Sequence, residues 1–303
     1  MFGAHNTRMS TEIADRDETP TPAAGSPLTL AASPAPAAKA PVPPTLQAAG
    51  RTLVFEQPLN ERMRTFLRLD FLYNQALHHN ETGTAWGSRA AVASLIDILA
   101  IGSRSDLRSD ALKEIERQLQ LLGDFQTRPG VDVQRLKTFI ANLTQLRANL
   151  LDAGVVCQQP LRDSEFLNAV RHRSAIPGGT CEFDLPDYLF WLSQPDDARK
   201  ETFNHWLGML RPLCDAVAEL LWLTRQFGKS RQETARGGTF TITFERENPL
   251  QMIRITLPAT SGLYPEVSGS HHRCSVRFLT WKGLSERAVQ TTEDVPFLLT
   301  TCG

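Results

Sequence analysis

With 303 residues the chain is long enough for one or two domains with a substantial core. Its formal net charge of −1 gives no global attraction to nucleic acid or membrane surfaces, although a local basic patch remains compatible with it. The five cysteines, Cys157, Cys181, Cys214, Cys274 and Cys302, are odd in number, irregularly spaced and without a C-x-x-C pair. That pattern points to reduced thiols in a cytosolic protein and away from a zinc knuckle or a disulfide framework.

The first fifty residues are rich in Pro, Ala, Ser and Thr and poor in aromatics. Such a segment buries too little apolar surface to offset its ordering entropy, so 1–50 is expected to be a disordered tail. Residues 1–20 lack the apolar segment of a signal peptide. The most apolar helical stretch, around 216–223, is interrupted by Asp215, Glu219 and Arg225, so no membrane span is expected.

Order is expected from Thr52-Leu-Val-Phe55, a short strand-like run. Asn60 then suits a helix N-cap, with Met63, Phe66, Leu67, Phe71 and Leu77 at helical spacing. A second helix is predicted over 88–101. Asp106 can cap a third, carrying Leu107, Ala111, Ile115, Leu119 and Leu122, and Arg128-Pro-Gly130 would end it. Asp132 can cap a fourth with Leu136, Phe139, Leu143, Leu146 and Leu150 in register. In Ser174-Ala-Ile-Pro-Gly-Gly-Thr-Cys-Glu-Phe-Asp-Leu-Pro-Asp-Tyr-Leu-Phe-Trp-Leu192, Pro177 and two glycines make a turn. Residues 180–184 alternate like a short strand, and Asp184 can cap a helix with Pro186 in its first turn. A long helical pattern spans about 196–227. Its stripe of Phe203, Trp206, Leu207, Leu210, Cys214, Val217 and Leu221 is a candidate dimer face, with burial in the chain's own core as the competing reading. Pro212 should kink or break it.

At Gly237-Gly238 the apolar period changes from 3.6 to 2. Phe240, Ile242 and Phe244 alternate with threonines and Glu245. Ile253, Ile255 and Leu257 alternate with Met252, Arg254 and Thr256. Cys274, Val276 and Phe278 alternate with Arg273, Ser275 and Arg277. Three such runs describe an antiparallel sheet covered on one side. The fold class is therefore α+β: a disordered tail over 1–50, a mainly helical domain over 51–235 and a small antiparallel β domain over 236–303. The early strand near 52–56 is free to join that sheet.

No catalytic motif is present: there is no G-x-S-x-G, P-loop, H-E-x-x-H or dinucleotide fingerprint. The neighbours in His78-His79 and His271-His272 diverge on a helix or a strand, so neither pair is a natural chelate. Asp196-Asp197 reads as a helix-start charge pair, and Cys181 has no histidine fixed beside it. No enzyme, metal or cofactor is expected. The positive signal is the polar face of the sheet. Arg273 and Arg277 are four apart on a strand and share a side, and Arg254 has the same parity on its own run. Together they predict an arginine cluster on the solvent side of the sheet.

Three stretches in order carry a family resemblance: the Ser174–192 segment above, Phe55-Glu-Gln-Pro-Leu-Asn-Glu-Arg-Met-Arg-Thr-Phe-Leu-Arg-Leu-Asp-Phe71, and Leu263-Tyr-Pro-Glu-Val-Ser-Gly269 followed by Arg273-Cys-Ser-Val-Arg-Phe278. They resemble the ZapD family of proteobacterial cell-division proteins and span nearly all of the chain after residue 50. The resemblance implies a helical-plus-β architecture and a cytoplasmic, non-enzymatic homodimer that bundles FtsZ filaments and stabilises the division ring at midcell. It also implies that basic residues along a groove receive the C-terminal tail of FtsZ. Arg273 and Arg277 match that pattern, and a third family arginine falls on Arg104 or Arg108. Some relatives carry a histidine where this chain has Leu189. The alternative reading is a nucleic-acid-binding module on the same basic face, against which stand the net charge and the lack of stacking aromatics among the arginines.

Overall fold

The computed structural model describes residues 50–103, 106–126, 131–154, 156–244, 250–269 and 272–303. Residues 1–49 of the tail expected over 1–50, the helix breaker at 128–130, and Arg104, Glu245 and His271 lie outside the described residues. The chain is α+β: nine described helices precede most of the strands. In order they are β1 (Thr52–Pro58), α1 (Glu61–Glu81), α2 (Ala85–Gly102), α3 (Leu107–Phe125), α4 (Val133–Asp152), α5 (Gln159–Asp163), α6 (Glu165–Ser174), α7 (Pro186–Leu192), α8 (Asp196–Gly208) and α9 (Arg211–Gln226). Then follow β2 (Lys229–Ala235), β3 (Thr239–Thr243), β4 (Met252–Pro258), β5 (Leu263–Gly269), β6 (Arg273–Thr280), β7 (Val289–Gln290) and β8 (Val295–Cys302).

The helix starts follow local chemistry. Asn60 Oδ1 accepts the Met63 amide at 2.8 Å, Asp106 the Ser109 amide at 3.1 Å and Asp132 the Arg135 amide at 3.0 Å. Each satisfies one of the amides that a first turn leaves without a partner. The long pattern of 196–227 breaks between α8 and α9, where Pro212 occupies the first turn of the second helix and needs no donor. Its stripe does not serve as an open dimer face. Phe203, Leu207, Leu210, Cys214, Val217 and Leu221 are all buried in the helical core, packed with Met63, Phe66 and Leu95. α2 is long and apolar enough to cross a membrane by composition; half of it is buried, and Ala91, Val92, Leu95 and Ile98 join the same core.

The segment 180–184 is not a strand. Its backbone closes on itself, with Cys181 O accepting from Asp184 and Leu185, and Thr180 O accepting from Arg89 at 2.7 Å. Among the described residues no strand pairs with it, and alternation without a partner gives turns. Gly178 at φ +74° supplies the left-handed residue there, and a side chain on Gly179 would lie 2.4 Å from Arg173 O. Asp184 does not cap α7. It pairs with Arg173 at 3.2 Å, and Leu185 takes the cap position without a side-chain bond.

The strands form two sheets rather than one. Sheet A has the order β1-β4-β8-β2 and sheet B the order β3-β6-β5, with β7 paired to the end of β6; all pairs are antiparallel. Leu53 and Phe55 of β1 face Leu257 and Ile255 of β4, so the early strand is an edge of sheet A. The stretch 229–235, grouped with the helices by composition, is the opposite edge. Sheet A is the middle of three layers. Ile253, Ile255, Leu257, Phe297 and Leu299 pack against Cys274, Val276 and Phe278 of sheet B, whereas Met252 and Cys302 belong to the helical core. A strand covered on both faces loses its apolar–polar alternation, as β8 does.

Candidate functional site

β6 builds the surface. Cys274, Val276 and Phe278 are fully buried between the sheets, and burial pushes the Cys274 thiol up to about 11, so it is an inert packing group. Each large side chain buried there contributes roughly 1.5–3 kcal/mol, which pins the register. The intervening Arg273, Ser275 and Arg277 must therefore face outward. Arg273 and Arg277 lie about 13 Å apart along the strand. Thr243 stands opposite Arg273 and Thr239 opposite Arg277 on β3, and Glu266 stands opposite Arg277 on β5. Arg277 is ion-paired with Glu266, whereas Arg273 makes no ion pair among the described residues. Gly269, the last residue of the Leu263 motif, lets β5 approach β6 at the Arg273 end. A side chain there would come within 2.8 Å of the Arg273 carbonyl and the Cys274 Cα.

The expected cluster of three arginines does not form. Arg254 has the right parity on its own strand, but β4 belongs to sheet A and both of its faces are covered. The Arg254 side faces the helices, and its Nε lies 3.0 Å from Glu56 Oε1, an ion pair without hydrogen-bond alignment. Arg108 is likewise engaged elsewhere. Its Nε donates to Leu150 O at 3.1 Å and its Nη2 to Leu151 O at 3.4 Å, so it satisfies carbonyls in the last turn of α4. It sits at the start of α3, whose far end, about 25 Å away at 1.5 Å per residue, meets the β strands. The structure thus groups Arg273 with Arg277 and separates both from Arg254 and Arg108. Leu189 lines an aromatic cleft with Trp86 and Phe183.

The other sequence candidates have structural occupations. Asp196 opens α8 and pairs with Lys200 at 2.8 Å and Arg199 at 3.3 Å. His78 and His79 diverge on α1, with ring centroids 5.5 Å apart. Among the described residues no group of three or more His, Cys, Asp or Glu is placed to hold a metal ion.

The tertiary structure also creates a cleft of about 640 Å³ where the end of α3 meets the diverging strands β2 and β3. Arg117, Lys229 and Arg231 line it together with Phe125, Phe244 and Leu250. Lys229 and Arg231 alternate on β2, which is a visible signal. Nothing in the sequence shows that Arg117, more than a hundred residues earlier, stands beside them.

A helical core stacked on a two-sheet β unit, with Arg273 and Arg277 displayed on its outer strand, defines an α+β protein that presents arginines on one face of its outer sheet. A family model described as a cell division protein, ZapD, matches residues 67–277. The chain is 40% identical over 251 residues to the cell division protein ZapD of Methylococcus capsulatus, covering 82% of this chain and 98% of that one. It is 34% identical over 250 residues to the ZapD of Dechloromonas aromatica and 33% over 248 residues to that of Azoarcus sp., with 82% of this chain covered in each case and 99% and 98% of theirs. The chain belongs to the ZapD family of cell division proteins.

Proposed function

We propose that this chain binds the acidic C-terminal tail of FtsZ through Arg273 and Arg277 and, as a homodimer, cross-links FtsZ filaments at the division site in the cytoplasm. It acts by binding and carries out no chemistry. The observation that supports this reading most is the pair of arginines projecting from one face of β6, backed by a fully buried set that leaves them no other orientation. A guanidinium holds a carboxylate by two parallel hydrogen bonds and stays charged at any cellular pH. Each exposed contact is worth about 1 kcal/mol or less, so one site binds weakly. Two sites on a dimer, facing a filament that displays many tails, raise avidity by about 10²–10⁴ while each contact stays reversible.

Co-sedimentation with polymerised FtsZ tests the reading. The wild-type chain is expected to pellet with full-length filaments and not with filaments lacking the C-terminal tail. Equal pelleting with both overturns it.

A further inference from the structure

We infer that the cleft between β2 and β3 is the seat of an extended acidic peptide, added as a further strand on the open edge of β3. This rests on the FtsZ-tail reading and names where the rest of the tail lies beyond Arg273 and Arg277.

The edge of β3 is available by its hydrogen-bond phase. The Phe244 amide donates to His272 O and the Phe278 amide to Gly238 O, both at 2.9 Å. Antiparallel pairing alternates, so residues 240 and 242 also point their backbone groups at β6, and Thr241 and Thr243 point theirs away from it. Beyond the bridge from Thr239 to Arg236 at its start, β3 has no strand neighbour on that side among the described residues, and Thr241 and Thr243 are exposed. A row of open donors and acceptors of this kind is what strand addition uses.

The walls select the chemistry of the occupant. Lys229 and Arg231 share the side of β2 that carries buried Ala235, and Arg231 stands opposite buried Leu299. Both cations therefore look from sheet A toward the space beside β3. Arg117 enters from α3. Arg231 has Glu233 at 2.6 Å and Arg117 has Glu114, while Lys229 makes no ion pair among the described residues. No carboxylate side chain lines the cleft among the described residues. An added strand on β3 presents alternate side chains to two environments. Those on the inner side meet Lys229 and Arg231, with Phe244 and Leu250 as an apolar floor. Those on the outer side lie over Thr243, about 10 Å from the β6 axis, within the combined reach of an acidic side chain and Arg273. The cleft and the β6 arginines thus form one surface, and its complement is an extended peptide carrying both acidic and apolar groups.

Inward charges on an edge strand also discourage unwanted pairing, so charge variants alone do not separate docking from edge protection. Thr241→Pro does. It removes an outward amide that no β6 group uses and blocks a new strand there, at a position where an edge proline is tolerated. The experiment titrates the isolated FtsZ C-terminal tail peptide into the full chain. Thr241→Pro and the double variant Lys229→Glu/Arg231→Glu are each expected to weaken binding by about tenfold or more while the melting curve stays in place. Amide exchange at Thr241 and Thr243 should slow when the peptide is present. If both variants bind within twofold of wild type while Arg273→Ala/Arg277→Ala loses binding, the cleft inference is overturned and the FtsZ reading stands. If the wild-type chain itself does not bind the peptide, the FtsZ reading and the inference fall together.

Discussion

Arg225 grips Glu56 with two parallel hydrogen bonds, Nε to Oε1 and Nη2 to Oε2, both at 2.9 Å. This fork joins the last turn of α9 to β1 and so links the helical core to sheet A. Arg254 shares the same carboxylate, and Asp70 on α1 lies 3.6 Å from Arg225. The two carboxylates respond oppositely. Burial works to raise the Glu56 carboxyl, but the hydrogen bonds and attraction of Arg225, and then the attraction of Arg254, outweigh it and hold it below its ordinary value. At Asp70 burial prevails over Arg225 and lifts the carboxyl above its ordinary value.

Stability should follow those signs. A depressed Glu56 contributes stability that is present above its unfolded pKa and lost as pH falls through its folded one. A raised Asp70 contributes in acid and loses that contribution as pH rises through its folded value. Glu56→Gln is expected to cost about 2 kcal/mol at pH 7, or roughly 5 °C in Tm, because it leaves two half-buried arginines short of a partner. Its deficit should shrink in melting curves taken progressively below pH 4.5, the ordinary value for Glu56. Asp70→Asn should leave Tm at pH 7 unchanged or higher. Equal losses for the two variants would refute the assignment.

Substituting Arg273 and Arg277 by alanine should abolish bundling of FtsZ while changing stability by no more than about 0.5 kcal/mol, since exposed charges contribute little to folding. Glutamate at both positions should do more damage by repelling the tail. Sedimentation and circular dichroism on the same samples read both effects. Normal bundling by the double alanine variant would remove these residues from the site.

Glu266 competes with any acidic ligand for Arg277. Glu266→Gln should therefore tighten binding of the tail peptide by about two- to fivefold, the equivalent of one exposed ion pair. A titration that finds weaker binding would mean that Glu266 positions Arg277 rather than occupying it.

Bivalency separates binding from bundling. A variant made monomeric, with its arginines intact, should bind the isolated tail peptide with ordinary affinity and fail to bundle filaments. Light scattering gives the oligomeric state, and turbidity gives the bundling. A wild-type chain that is monomeric at micromolar concentration and still bundles FtsZ would require two tail sites on one chain.

Much was legible in the residues themselves. Asn60, Asp106 and Asp132 cap helices because capping is a contact between residues three apart. Pro212 divides the long helix because a ring without an amide donor acts locally. The β6 alternation set Cys274, Val276 and Phe278 inward and both arginines outward, because a strand has only two faces. What chain order could not supply is which strand lies beside which. Arg254 and Arg273 share a sequence parity but stand in different sheets, since parity names a face only after the sheet is known. β2 is mostly polar because it is an edge, and β8 is apolar on both sides because it lies in the middle layer; neither shows the period of a half-covered strand. Arg108 carries the charge of a ligand-binding residue, yet it bonds the end of α4 because a helix forty residues later brings its carbonyls there. Local sequence determined the elements and the direction of each side chain; long-range packing alone decided which charges meet.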